Sequence, residues 1–425
     1  MAINIPETGQ KRLVILGAGF AGLKLARELV NSDFQIVLID KNNYHQFQPL
    51  FYQVATAGLE PSAISFPLRK IFQQKKNIFV RVAEVQKIDA DKHQISTEIG
   101  PLKYDYLVVA TGVRTSYFGM ENISNHAIPM KTVAQALALR NRVLSNFELA
   151  VTITDREKLK ELLNIVVVGG GPTGVEVSGA LADLKNFVLP KDYPDLDFSL
   201  MEVSLVEASE HLVGGMSKLA SRKSKIYLEK LGIHVYTGTR VVDYDGHTVT
   251  FQDGRSIQSN TMIWAAGITG TYPDGINRER AVRGNRLPVD RYNRLPDVED
   301  VFVLGDLAYM QTEKYPNGHP QLAQVAIQQA RNLARNLKRM NESRELRKFE
   351  YADKGSMATV GRNLAVVDFP FLRFGGRIAW LIWMFVHLMS IVGVKNRMLV
   401  FINWFWNYIT YDQSLRLIIK PFRKV

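Results

Sequence analysis

Glycines and carboxylates at fixed spacings carry the chemistry that can be read in this chain. Gly17-Ala18-Gly19-Phe20-Ala21-Gly22 follows the apolar run Leu13-Val-Ile-Leu16 and leads into a helical stretch from Leu23 to Leu29. In a strand–turn–helix of this kind the first glycine makes a tight turn. The second lets the backbone approach a pyrophosphate, and the third lets helix and strand pack closely. The helix N-terminus then presents unpaired N–H groups and a partial positive charge to the phosphates. A second strand, Gln35 to Ile39, ends at Asp40, 23 residues after Gly17, about where a carboxylate meets an adenosine ribose.

The same device occurs again. Asn164-Ile-Val-Val-Val168 runs into Gly169-Gly-Gly171-Pro-Thr-Gly174, followed by a helical Val175–Ala182. A later strand, Glu202 to Val206, ends at Glu207, 38 residues past Gly169, with the polar stretch Pro190–Asp197 reading as an insertion. Two fingerprints imply two dinucleotides on one chain, most economically a tightly held flavin and an exchangeable nicotinamide. A carboxylate at Glu207 would repel a ribose 2′-phosphate, so NADH is expected over NADPH.

These loops need strands and helices to hold them. Ala110-Thr111-Gly112 ends the buried strand that starts at Tyr106, and Ala266-Gly267 ends the strand that starts at Thr261. That echo predicts two related α/β units, the second inserted into the first. The boundaries expected are residues 1–118 and 269–345 for the FAD-binding domain and 119–268 for the NADH-binding domain. A membrane-anchoring region occupies 346–425. Phe79–Val85 and His93–Thr97 read as strands of a small antiparallel crossover. The aromatic, amide-rich loop from Lys41 to Gly58, with its short helix, suits one side of a flavin ring or ordinary packing under the sheet. Asp300–Ala308 reads as a strand ending at Gly305-Asp306. There Asp306 can bond a ribityl chain, and the following helix can point at the pyrophosphate.

Composition narrows the chemistry. The chain has no cysteine, which removes disulfides, thiolate metal sites and every thiol mechanism. Its eight histidines show no ligand spacing, so no metal site is expected. Of the net charge of +12, residues 347–425 supply +8, from 12 Lys/Arg against 4 Asp/Glu. Those positives surround aromatic, apolar stretches, an arrangement that favours an anionic lipid surface over nucleic acid. The N-terminus carries no apolar or Arg-rich leader, so the protein is expected on the cytoplasmic side.

The order GxGxxG–Asp, Ala-Thr-Gly, GxGxxG–Glu and Gly-Asp resembles the two-dinucleotide-binding-domain flavoproteins. Within them the chain is most similar to the type II, non-proton-pumping NADH:quinone oxidoreductases. Glu176, two residues past Gly174, matches an acid that in that family lies near flavin and nicotinamide. Ala323-Gln-Val-Ala-Ile-Gln328 matches the family's AQxAxQ stretch, which implies Gln324 and Gln328, on one helix face, beside the quinone. The resemblance also assigns Lys41, Gln53, Val85 and Ala323 to the cofactors. The positions of Tyr52, Gln53, Lys354 and Lys395 relative to the quinone stay open. Lys354–Gly361 resembles the segment leading to the family's membrane anchor. The apolar runs Ile378–Val394 and Met398–Ile409 follow, then the basic end Lys420–Val425. The first run is 17 residues, the lower limit for a span, and clustered Trp, Tyr, Lys and Arg favour helices lying in the interface. A homodimer contact is the alternative use of that surface.

The resemblance implies FAD, NADH as substrate, a membrane quinone as acceptor and no proton pumping. A sulfide:quinone oxidoreductase would need cysteines, and a soluble ferredoxin-type reductase has no use for the basic, Trp-rich C-terminus. A non-catalytic NADH sensor, or a reductase with another acceptor, is the competing reading.

Overall fold

Two parallel sheets carry the two glycine loops. The structure, a computed structural model, describes residues 3–296, 298–411 and 415–419. It divides into one unit of Met1–His45, Phe66–Arg114 and Ile268–Asp353 and another of Gln46–Ser65, Thr115–Gly267 and Lys354–Val425.

In the first unit a six-stranded sheet runs in the order Arg294–Leu295, Val298–Val303, Tyr106–Val109, Arg12–Leu16, Gln35–Asp40, Ile78–Val82. Its members are parallel except for the Arg294–Leu295 edge, with Val14 between Val37 and Leu107. The central strands are buried along their length, as near-continuous Val/Ile/Leu runs require in a sheet covered on both faces. Helix Phe20–Glu28 packs on helix Ala323–Asn341. The Phe79–Val85 expectation is corrected here. Ile78–Val82 is the parallel edge, and the antiparallel sheet consists of Val85–Asp89, Gln94–Thr97 and Gly100–Lys103.

The second unit repeats the plan with five parallel strands ordered Ile128–Pro129, Thr261–Trp264, Ile165–Val168, Val203–Val206, His234–Tyr236. Its long helix, Val133–Ala150, opens on a full capping box between Thr132 and Gln135. An antiparallel sheet of Ser356–Gly361, Leu364–Asp368 and Arg373–Gly375 precedes helices Arg377–Ser390 and Val394–Thr410.

The units divide the chain differently from the four expected segments. Gln46–Ser65 and Lys354–Val425 both cluster with the second unit. The reason is packing. Helix Phe51–Ala55 lies on Val133–Ala150, and strand Ser356–Gly361 lies on helix Pro172–Asp183. Gly179 makes the latter approach possible, because a Cβ there would sit 2.2 Å from the Val360 carbonyl oxygen.

The first C-terminal run does not form one span. A turn containing Gly393, at φ +83°, separates two helices of 14 and 17 residues. Among the described residues no helix is long and apolar enough to cross a membrane. The basic end Lys420–Val425 lies outside the described residues.

Candidate functional site

The two glycine loops share one backbone design. Gly17, at φ +95°, donates its N–H to the Ile39 carbonyl at 2.7 Å, and Gly169, at φ +112°, donates its N–H to that of Val206 at 2.8 Å. Side chains strongly disfavour that region of backbone space. A Cβ on Gly22 would lie 1.9 Å from the Gly17 oxygen, and one on Gly174 would lie 1.8 Å from that of Gly169. The middle glycines differ in kind. A Cβ on Gly19 or Gly171 would meet no protein atom within 4 Å, so the space they leave faces outward.

Both loops feed helices without a side-chain cap and without an acid in the first turn, Phe20–Glu28 and Pro172–Asp183. The capped helix Val133–Ala150 shows that the chain can satisfy a helix N-terminus when it needs to. Neither N-terminus here carries a side-chain cap, an arrangement that fits dinucleotide pyrophosphates.

The acids expected at the riboses also hold the loops. Asp40 accepts the Ala18 N–H at 2.7 Å and the Asn42 N–H at 2.7 Å. Glu207 accepts Gly170 N–H at 2.5 Å and Ser209 N–H at 2.7 Å. Each oxygen keeps a further lone pair for a hydroxyl. Desolvation raises the Asp40 pKa above its usual range, against these bonds. His45 was not anticipated from sequence. Its Nδ1–H donates to the Ala18 carbonyl at 2.8 Å, and burial between Phe20 and Phe66 drives its pKa down to about 4, so the ring is neutral.

Other expected positions are found as follows. Ala110 continues the strand pairing onto Leu16, and Thr111 Oγ1 donates to the Thr271 carbonyl. Gly112 has open space where a Cβ would stand, and Ala266 is exposed beside Gly267. Lys41 is exposed and Val85 half-buried at the start of the antiparallel sheet. Asp306 sits in a single 3₁₀ turn, Gly305–Leu307, instead of before a longer helix. The Gly305 N–H is taken by Gln329, a buried residue that sequence reasoning passed over.

Gln324 and Gln328 do share helix Ala323–Asn341, and Ala323 is its first residue. Their environments differ. Gln328 donates to and accepts from the Ala352 backbone at 2.9 and 3.0 Å, which commits its amide to holding the chain. The half-buried Gln324 amide makes no hydrogen bond among the described residues.

A pocket with about 870 Å³ of empty space, partly open to solvent, lies within the second unit. Helix Pro172–Asp183 lines it with Glu176, Ala180 and Asp183. Helix Phe51–Ala55 adds Tyr52 and Gln53, and the C-terminal helices add Trp380, Trp383, Trp404 and Tyr408. Glu176 is buried. Desolvation raises its pKa to about 8, against the Thr359 N–H at 3.4 Å and the nearby Trp383 indole, so it is protonated at neutral pH. A neutral acid in the second turn does not complement the helix dipole.

Asp183, two turns on, has its pKa raised to about 6 by desolvation, opposed by the Arg362 backbone N–H at 3.1 Å. The Arg362 guanidinium lies over Tyr411 at 3.5 Å and Tyr408 at 4.2 Å. Asp183 and Arg362 were missed, although a period-seven match to Glu176 puts Asp183 on its helix face. Gln53, expected at a cofactor, is bonded to Trp404 and Tyr52. Gln324 and Gln328 are not among the residues lining this pocket.

Residues 11–330 match the pyridine nucleotide-disulphide oxidoreductase family model, and residues 354–410 match the NDH2 C-terminal domain. The type II NADH:quinone oxidoreductase Ndh of Mycobacterium tuberculosis is 36% identical over 412 residues, 92% of this chain and 87% of that protein. The chain belongs to the type II NADH:quinone oxidoreductases. A relative named internal alternative NAD(P)H-ubiquinone oxidoreductase A1, from Arabidopsis thaliana mitochondria, is 30% identical, with 95% of this chain and 85% of that one aligned. The solved structure of NDH2 from Plasmodium falciparum in complex with NADH shares the fold. Its TM-score is 0.89 at 22% identity, covering 97% of this chain and 100% of that one. Without cysteine, this type II NADH:quinone oxidoreductase carries no disulfide redox pair, whatever the wider family's name.

Proposed function

We propose that this enzyme oxidises NADH at the second glycine loop and reduces a membrane quinone through FAD held at the first. The observation that carries the reading is the duplicated loop: two uncapped helix N-termini, each with outward space at its middle glycine. FAD, when bound, accepts the hydride of NADH and passes two electrons to the quinone.

The chain supplies binding and protons. Gly17, Gly19, Gly22 and Asp40 hold the flavin dinucleotide, with Asp306 at its ribityl chain. Gly169, Gly171, Gly174 and Glu207 hold NADH. NADH oxidation coupled to quinone reduction takes up one proton, and the protonated Glu176 carboxyl is placed to give it. The aromatic pocket admits the quinone ring; Gln324 is not part of its lining, and its unengaged amide keeps the quinone role that the family resemblance implies. Gln328 is not assigned that role.

Membrane attachment follows from the C-terminal helices. Ile378, Leu381, Phe385, Phe401, Phe405 and Trp406 are all more than half exposed, while Trp383 and Trp404 turn inward. Such an inversion, with Arg377, Lys395 and Arg397 nearby, suits a monotopic helix pair in an anionic interface. We place this on the cytoplasmic face of the cell membrane.

The test is NADH oxidation by detergent-solubilised protein with and without a short-chain quinone, NADPH alongside, and mass analysis of the released flavin. Quinone-dependent oxidation of NADH, with NADPH slower and FAD released, is expected. Reduction of the flavin without electron transfer to quinone would favour the NADH-sensor reading. A Glu207→Gln variant should narrow the NADH/NADPH ratio about tenfold by removing charge repulsion with the 2′-phosphate.

A further inference from the structure

Three side chains in the aromatic pocket form a chain with only one consistent direction. The Trp404 indole nitrogen lies 2.7 Å from Gln53 Oε1. Gln53 Nε2 lies 2.8 Å from the Tyr52 hydroxyl oxygen. An indole N–H can only donate, so it fixes the Gln53 oxygen toward Trp404. The amide nitrogen must then face Tyr52, and it can only donate. A hydroxyl that has accepted in this way still holds its own hydrogen. No acceptor for that hydrogen stands among the described residues, and Tyr52, Gln53 and Trp404 all line the pocket.

We infer that the Tyr52 hydroxyl is preset as a hydrogen-bond donor into the pocket, where it takes one carbonyl oxygen of the quinone. The inference rests on the reading that this pocket receives the quinone. A hydrogen bond to that oxygen strengthens as electrons arrive and its negative charge grows. Burial favours the role, because Tyr52 is 7% exposed and an unanswered O–H there is costly until a ligand accepts it. Desolvation and the neighbouring Glu176 push the phenol pKa upward, so the hydrogen stays in place.

Trp404 belongs to helix Val394–Thr410, which is also pinned to the Tyr52 segment by Asn407 on the Gly58 carbonyl at 3.2 Å and Asn396 on that of Ser62 at 2.9 Å. Its opposite face carries the exposed Ile402 and Phe405. The seating of this surface helix therefore sets the direction of the Tyr52 hydroxyl. With Trp404→Phe the Gln53 amide is free to turn over, and its oxygen then captures the hydroxyl hydrogen.

The test uses flavin-loaded full-length protein in detergent, oxidised and without NADH, titrated calorimetrically with a short-chain 1,4-benzoquinone. Turnover is measured in parallel. Tyr52→Phe and Trp404→Phe should each weaken binding about five- to tenfold, the weight of one such hydrogen bond, and the double variant should be no weaker than either single. In turnover the loss should fall on KM more than on kcat. Losses that multiply in the double variant would overturn the relay, as would a Tyr52→Phe that binds like the parent. Gln53→Glu guards against a Trp404 variant that fails to fold: a carboxylate accepts from both neighbours, so it should reproduce the Tyr52→Phe loss, and parental binding would overturn the relay. Ala180→Leu separates the two levels, since it fills the pocket without touching the chain. Unchanged binding there would refute the pocket itself. Loss there with no effect of Tyr52→Phe would refute only the hydroxyl.

Discussion

Glu176 and Asp183 stand seven residues apart on one helix, and one short segment reaches both. Thr359 N–H points to Glu176 at 3.4 Å and Arg362 N–H to Asp183 at 3.1 Å. Neither carboxyl has a side-chain ion pair among the described residues, so desolvation dominates at each and raises its pKa, to about 8 at Glu176 and about 6 at Asp183, which leaves only Glu176 mainly protonated at neutral pH. The enzyme thus keeps two acids of graded strength along one wall of an aromatic pocket.

That burial has a consequence for stability. The Glu176 pKa moves from 4.5 to about 8 in the fold. Between these values the native protein keeps a proton that the unfolded chain has released. The stabilising contribution is complete below pH 4.5, is lost at about 1.4 kcal/mol per pH unit as pH rises, and levels off above pH 8. Glu176→Gln removes the dependence. Its melting temperature relative to the parent should rise steadily from pH 5 to pH 8. A constant difference would mean that Glu176 titrates as an ordinary carboxylate.

The glycines of each loop should separate by role. Gly174→Ala forces a Cβ to 1.8 Å from the Gly169 oxygen and should disrupt the second unit, seen as aggregation or a melting temperature lowered by many degrees. Gly171→Ala meets no protein atom. It should melt like the parent yet raise KM for NADH about tenfold or more, by occupying ligand space. Equal destabilisation by both substitutions would refute the distinction.

The two glutamines of helix Ala323–Asn341 should part company in the same way. Gln328→Ala loses both bonds to Ala352 and should cost about 1–2 kcal/mol of stability, read by denaturant unfolding. Gln324→Ala should leave the unfolding curve unchanged and raise KM for quinone several-fold. If Gln328→Ala instead impaired quinone turnover with no loss of stability, the assignment of Gln328 to a structural role would be wrong.

Attachment to lipid should depend on the outer face of the C-terminal helices. Phe385 and Phe405 are 66% and 58% exposed. Replacing both by Glu should lower partition onto phosphatidylglycerol vesicles at least about tenfold, through lost apolar burial and charge repulsion. Parental partition in a sedimentation assay would place the contact elsewhere.

Local rules were enough for the two glycine loops. A strand, a turn that only glycine can make and a helix form one contiguous stretch, so Gly17–Gly22 and Gly169–Gly174 are recognisable from spacing alone. Asp40 and Glu207 end the next strand in each half, and parallel register brings them to the loop. Amphipathic spacing likewise placed Gln324 and Gln328 on one helix face. What spacing could not say is which amide is already spent, because Ala352 reaches Gln328 from outside the helix. The pocket lay further still from local rules. Tyr52, Glu176, Arg362 and Trp404 are separated by scores of residues and converge only because Gln46–Ser65 and Lys354–Val425 both pack on the second unit. Burial among those segments, which no short stretch encodes, keeps Glu176 protonated and gives the Tyr52 hydroxyl its direction.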